Sequence, residues 1–166
     1  TPCGTLFPYT TLFRSVSSTA IRTAVAEGDM DRAGTMLGHP YLITARRVVG
    51  IGLGMELGYP TLNFEEPLPC KVLPPPGVYA AQLECGTHRS PVALYFGTCP
   101  TFGEREVHFE LHLLAKEPVV PEQGDLGRIW VYSHVRADMT FSGREALVAQ
   151  IEEDVRAIRE FFTQER

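Results

Sequence analysis

From Tyr41 onward the chain alternates apolar and polar residues with a period of two. The stretches Tyr41 to Val49, Val78 to Cys85, Pro91 to Phe96, Glu106 to Leu114 and Ile129 to Val135 are rich in Val, Tyr, Phe and Leu and read as strands. Gly and Pro clusters separate them: Pro67-Leu68-Pro69, Pro74-Pro75-Pro76-Gly77, Gly86-Thr87 and the span Pro118 to Gly127. Five or six antiparallel strands joined in this way predict a mainly β domain, a small closed or split barrel that leaves few exposed sheet edges. The period changes at both ends. Leu147, Ile151, Val155, Ile158 and Phe162 recur at spacings of three and four, which predicts a long amphipathic helix over about Arg144 to Phe162, packed across the barrel. Near the start, Ser18 can cap a helix reaching about Glu27, and Asp29 can cap a second from Met30 to Leu37 that stops at Gly38. Pro40 marks the boundary between these helices and the strands.

The segment between the first two groups of strands has its own character. Val49-Gly50-Ile51-Gly52-Leu53-Gly54 leads into Leu57-Gly58-Tyr59-Pro60-Thr61-Leu62-Asn63-Phe64. Glycines at 50, 52, 54 and 58 let the main chain take φ > 0 and approach a ligand without a Cβ in the way. Backbone N–H groups of such a segment can cradle anionic oxygens. Pro60 fixes its own φ and holds Tyr59 extended, so Thr61 and Asn63, two apart on the emerging strand, face the same side. A hydroxyl and an amide oxygen are hard ligands suited to Mg²⁺ carrying phosphates. No Gly-Lys-Ser/Thr follows, so this is not a Walker A loop, and no helical pattern follows to make it a dinucleotide fingerprint.

On the strand Glu106 to Leu114, alternation sends Val107, Phe109, Leu111 and Leu113 one way and His108, Glu110 and His112 the other. Two chemistries are open to that polar face. Glu110 can act as a general base toward a hydroxyl, or the His-x-Glu-x-His spacing can hold zinc or iron in a cupin-like barrel.

Composition narrows the partners. The 166 residues carry a formal charge of −5, with 44% hydrophobic and 21% charged residues, ordinary for a globular chain with a sizeable core. The acidic balance and the lack of clustered Lys and Arg argue against nucleic acid. No apolar run reaches the ~18 residues of a membrane helix, and the Leu and Phe near the start, broken by Pro8, Tyr9, Thr10 and Thr11, do not form a signal peptide. Four cysteines without a CxxC pair point to reduced thiols in a cytoplasmic setting.

Taken in order, LGYPTLNF (57–64), Gly77-Val78-Tyr79-Ala80, FGTCPTFG (96–103), FELHLL (109–114) and Phe141-Ser142-Gly143-Arg144-Glu145-Ala146-Leu147 resemble the riboflavin kinase module of bacterial bifunctional riboflavin kinase/FAD synthetases, over about residues 39 to 160. They are similar to that family's LGFPTANL, IGTxPTFG and VEVHLL. The resemblance implies a Greek-key, riboflavin-kinase-like barrel that transfers phosphate from ATP to the ribityl 5'-hydroxyl of riboflavin, giving FMN. It implies Glu110 as the catalytic base, Thr61 and Asn63 as ligands of Mg²⁺ and the ATP phosphates, and Gly50, Gly52, Gly54 and Gly58 as the nucleotide-binding loop. Gly97, Thr98, Pro100 and Thr101 correspond to a flap over substrate, and Arg136, in a segment resembling LRPE, to a ligand contact. The chain departs from the pattern at Met55, where a basic residue is usual, and at Leu62, Tyr95 and Cys99. The DLYG motif is not recoverable from Pro121 to Gly127. Loss of a phosphate-facing cation weakens ATP binding, leaving a flavin- or nucleotide-binding module with little turnover as an alternative.

Val16-Ser17-Ser18-Thr19-Ala20-Ile21-Arg22 is similar to the SSTxIR motif closing the adenylyltransferase domain of the same enzymes, yet no HxGH motif occurs in the chain. Residues 5–15, TLFPYTTLFRS, match codon for codon the translation of a common sequencing adapter. Residues 1–15 are therefore read as a non-native scar, 16–38 as a helical remnant of the adenylyltransferase domain, and 39–166 as the kinase domain. On this reading the protein is natively fused to an adenylyltransferase domain, FAD synthesis is lost, and the remnant helices, stripped of their sheet, are loosely held.

Overall fold

The computed structural model describes residues 16–50, 53–67, 70–97, 108–115 and 117–164. Two helices come first, α1 (Ser18–Ala26) and α2 (Met30–Leu37). The cap of α1 is Ser17, one residue before the anticipated Ser18; its hydroxyl accepts from the Ala20 N–H at 3.1 Å. Asp29 caps α2 through the Arg32 N–H, and Gly38, at φ +76°, ends it in the left-handed region. These helices pack onto the barrel. Ala24, Val25, Met30 and Ala33 are fully or almost fully buried in the same apolar cluster as the barrel interior, so desolvation ties them to the domain.

Among the described residues six strands follow: β1 (Tyr41–Val48), β2 (Thr61–Phe64), β3 (Gly77–Cys85), β4 (His88–Gly97), β5 (His108–Leu113) and β6 (Leu126–Ala137). A single helical turn, α3 (Leu53–Glu56), precedes β2, and α4 (Arg144–Gln164) closes the chain. All strand pairs are antiparallel, in the closed order β1-β2-β5-β4-β3-β6. The connections from β2 to β3 and from β5 to β6 each pass over two strands, and closure of the barrel leaves these strands without a free edge.

Alternation splits each strand between two cores. Ile43, Phe64, Tyr79, Leu83, Leu94, Phe109, Leu111, Ile129 and Val131 fill the interior. Val78 and Ala80 point outward and join Leu114 and Ile158 in a second cluster, packed on by Val155, Phe161 and Phe162 of α4. The helix thus lies on the outer face of the sheet, over β3, β4 and β6.

The register of β6 on β3 shifts twice, between Val78 and Tyr79 and between Ala80 and Ala81. Tyr79 pairs with His134 and Val78 with Arg136, leaving Val135 as the extra residue. Without that bulge Arg136 would fall opposite Gly77 on the interior face; with it, Arg136 stands beside Val78 on the outer face. Gly77 is what fits here, since a Cβ would lie 2.3 Å from the Arg136 carbonyl oxygen.

Candidate active site

A cavity opens on the outer face between the sheet and α4, crossing β2, β5, β4, β3 and β6. Its floor is Ala93, Tyr95 and Val78; Leu147, Ile151 and Val155 of α4 form the opposite wall. Polar groups stand at both ends. Thr61, Glu110 and His112 come from β2 and β5, and Arg136, Asp138 and Asp154 from β6, the segment after it, and α4. An apolar middle between polar ends suits an aromatic ring system carrying a polyol.

At the first end, Asn63 pairs with Glu110 and Thr61 with His112 in the β2–β5 register. The Thr61 hydroxyl donates to Glu110 Oε2 at 2.9 Å, so the structure joins two of the residues singled out in the sequence. Phe109 and Leu111 point into the barrel, which turns Glu110 and His112 outward. Asn63 stands opposite Glu110, and Gly50 packs on its side chain so closely that a Cβ at 50 would lie 1.9 Å from Nδ2. Gly54 lies in α3, where a Cβ would sit 2.5 Å from the Tyr59 carbonyl oxygen and 2.9 Å from Thr61 Oγ1. Of the described loop glycines only Gly58 takes positive φ, at +85°. The expectation of left-handed backbone along the loop is thus corrected: Gly50 and Gly54 are small because side chain and backbone crowd them. Gly52, Thr98, Pro100 and Thr101 lie outside the described residues.

The Thr61 hydroxyl, the Asn63 amide oxygen and the Glu110 carboxylate are three hard oxygens on two paired strands, and Gly50 leaves the Asn63 side chain room beside them. This donor set fits a divalent cation such as Mg²⁺. The alternative triad of His108, Glu110 and His112 lies partly outside the described residues. His112 Nδ1 lies 3.0 Å from the Pro60 carbonyl oxygen, which commits that nitrogen as a donor and leaves Nε2 as the ring's ligand atom. Among the described residues no group of three His, Cys, Asp or Glu side chains is placed to hold a metal ion, and the side chain of His108 lies outside them.

At the other end Arg136 lines the cavity but is engaged by Asp154. Nε lies 3.0 Å from each carboxylate oxygen and Nη2 2.9 Å from Oδ2, with both side chains largely buried. Beside them the Tyr95 hydroxyl donates to Asp138 Oδ1 at 3.2 Å. Gly97 makes space for that bond, because a Cβ there would lie 2.5 Å from the Tyr95 oxygen and 2.6 Å from Asp138 Oδ2.

Sequence reasoning missed Tyr59, Asp138 and Asp154. Asp154 left a signal: it is a charged residue inside the apolar stripe of α4, and it is 5% exposed. The departures also acquire a place. Leu62 packs against the interior cluster, while Met55 is 73% exposed, so neither disturbs the site wall. Cys70 and Cys85 are free thiols, and no helix among the described residues is long and apolar enough to cross a membrane.

Curated proteins similar to this chain share one description. The bifunctional riboflavin kinase/FMN adenylyltransferase of Escherichia coli K12 is 36% identical over 148 residues, covering 89% of this chain and 46% of the relative. The protein of the same description from Bacillus subtilis is 33% identical over 157 residues, covering 89% and 47%. The chain therefore spans about half the length of the curated relatives it matches. A solved structure described as a macrolide-efflux protein from Streptococcus pneumoniae superposes with a TM-score of 0.75 at 28% identity, over 87% of this chain and 46% of that one. The family model described as riboflavin kinase matches residues 37–162, and the chain accordingly belongs to the riboflavin kinase (flavokinase) family.

Proposed function

We propose that this chain catalyses transfer of the γ-phosphoryl group of ATP to the ribityl 5'-hydroxyl of riboflavin, giving FMN and ADP. The observation that carries the reading is the Thr61–Glu110 hydrogen bond at the head of an apolar cavity. The isoalloxazine ring lies along the floor of Val78, Ala93 and Tyr95 beneath α4, and the ribityl chain runs toward β2 and β5. Glu110 takes the proton of the 5'-hydroxyl as that oxygen forms its bond to phosphorus and the bond to the ADP oxygen breaks. Thr61, donating to Oε2, holds the carboxylate in one orientation, so that positioning supplies much of the rate. Asn63 and Thr61 would hold Mg²⁺, which would neutralise charge on the phosphates.

The relatives carry an adenylyltransferase as well, and this domain is natively fused to one. The fused enzyme works in the cytoplasm on riboflavin and ATP, without nucleic acid or membrane as partner. Incubation of the purified chain with riboflavin, ATP and Mg²⁺, followed by chromatography, should yield FMN; absence of FMN at high enzyme concentration would reject the reading.

A further inference from the structure

His112 belongs to the cavity wall, yet the reaction described above gives it no task. Its surroundings form a closed circuit. A carbonyl oxygen only accepts, so Nδ1 of His112 carries the proton in its 3.0 Å contact with the Pro60 oxygen. Pro60 precedes Thr61, whose hydroxyl donates to Glu110, which stands two residues before His112 on β5. The imidazole also meets the Tyr59 ring edge-on at 5.3 Å, and the Tyr59 N–H donates to the Gly54 carbonyl at 2.8 Å. One side chain thus fastens the turn that delivers Thr61 to the strand that delivers Glu110.

We propose that His112 is a positioning residue of the phosphotransfer site: its Nδ1–H, donated to the Pro60 carbonyl, sets the Tyr59–Thr61 turn so that Thr61 meets Glu110. Proline supplies no N–H, so the turn cannot anchor itself with a ladder bond from residue 60. Burial lowers the proton affinity of the ring against the opposing pull of the Pro60 carbonyl, and the charge of Arg159 lowers it further. His112 needs neither to gain nor to lose a proton during turnover. The inference rests on the riboflavin kinase reading, because Thr61 and Glu110 take their importance from it.

Two amide substitutions separate positioning from chemistry. The Asn amide nitrogen occupies the place of imidazole Nδ1, whereas the Gln amide nitrogen occupies that of Nε2. His112→Asn should retain the bond to Pro60 and keep kcat within about threefold, the scale of a partly weakened hydrogen bond. His112→Gln should lose that bond and lower kcat by about tenfold or more through misplacement of Thr61, with a much smaller change in KM for riboflavin. Equal losses in both variants would assign a proton-transfer or metal-binding role to the ring, and no loss in either would make the contact incidental; each overturns the proposal. A second readout does not depend on turnover. In NMR spectra the wild-type ring should show a protonated Nδ1 at neutral pH, and the amide signals of Thr61 and Glu110 should move in His112→Gln and stay in His112→Asn. Wild-type protein making no FMN while these shifts follow the pattern would reject the kinase reading and leave the positioning intact; the reverse result would reject the positioning alone.

Discussion

The Arg136 guanidinium and the Asp154 carboxylate meet side by side, Nε 3.0 Å from both oxygens and Nη2 2.9 Å from Oδ2, and join the end of β6 to the middle of α4. The Gln150 amide adds a donor to the same carboxylate at 3.1 Å. Fork geometry of this kind satisfies several donors at once. Removing one partner strands a charge in a largely buried place, so Asp154→Ala should destabilise the fold by about 3–5 kcal/mol in urea unfolding. Replacing both with apolar residues, Arg136→Met with Asp154→Leu, should recover most of that loss. A single variant as stable as the wild type would show that the pair does not pin the helix.

Glu110→Gln keeps the shape and a hydrogen bond while removing proton acceptance. We expect kcat to fall by roughly 10²-fold or more, with riboflavin binding little changed. Full turnover in this variant would overturn the assignment of Glu110 as the base.

Asn63→Ala should abolish most phosphotransfer and leave the unfolding midpoint nearly unchanged, because a half-buried polar residue at a strand end contributes little to either core. Gly50→Ala should act in the same direction with residue 63 unchanged, since its Cβ would displace the Asn63 amide. Measured KM for Mg-ATP decides the matter, and an unaltered value in both variants would return the two residues to a purely structural part.

Stability should depend on pH through His112. Burial lowers its folded-state pKa, so below the ordinary value of about 6.5 the unfolded chain binds a proton that the folded chain does not. Its share of stability is therefore complete above that pH and declines as the pH falls further. Thermal melts between about pH 8 and pH 5 should show a steeper decline for the wild type than for His112→Asn, by up to about 1.4 kcal/mol per pH unit. Parallel curves would contradict the assignment.

FMN with ATP should yield no FAD from this chain, because the HxGH nucleotidyl-transfer motif is absent from it. Chromatographic detection of FAD made by the pure protein would require a second, unrecognised site.

Much of this was legible along the chain because burial imposes a period. The five longer strands, α4 and the outward placement of Glu110 all follow from alternation or from spacings of three and four. The short elements were harder to see. β2 has four residues directly after a proline, too few to show a period, and α3 is one turn whose residues include a glycine. The bulge at Val135 leaves no local mark, because it is defined by the partner strand; Arg136 could be named from its motif but not aimed. Asp154 was hidden for the opposite reason: a stripe read for its apolar members passes over the charged residue that breaks it.

That bulge gives β6 one residue more than its partner strand uses, a surplus that substitution tables do not register. Exchange of Val135 for another β-branched residue leaves the count of residues between His134 and Arg136 intact. Deletion of Val135 restores regular pairing and keeps Arg136 opposite Val78, so the guanidinium stays on the side of Asp154 while the outer cluster loses an apolar member. The surplus residue is thus a packing element and not part of the guanidinium's address, and natural variation in β6 should shorten the strand here more readily than at its regularly paired positions.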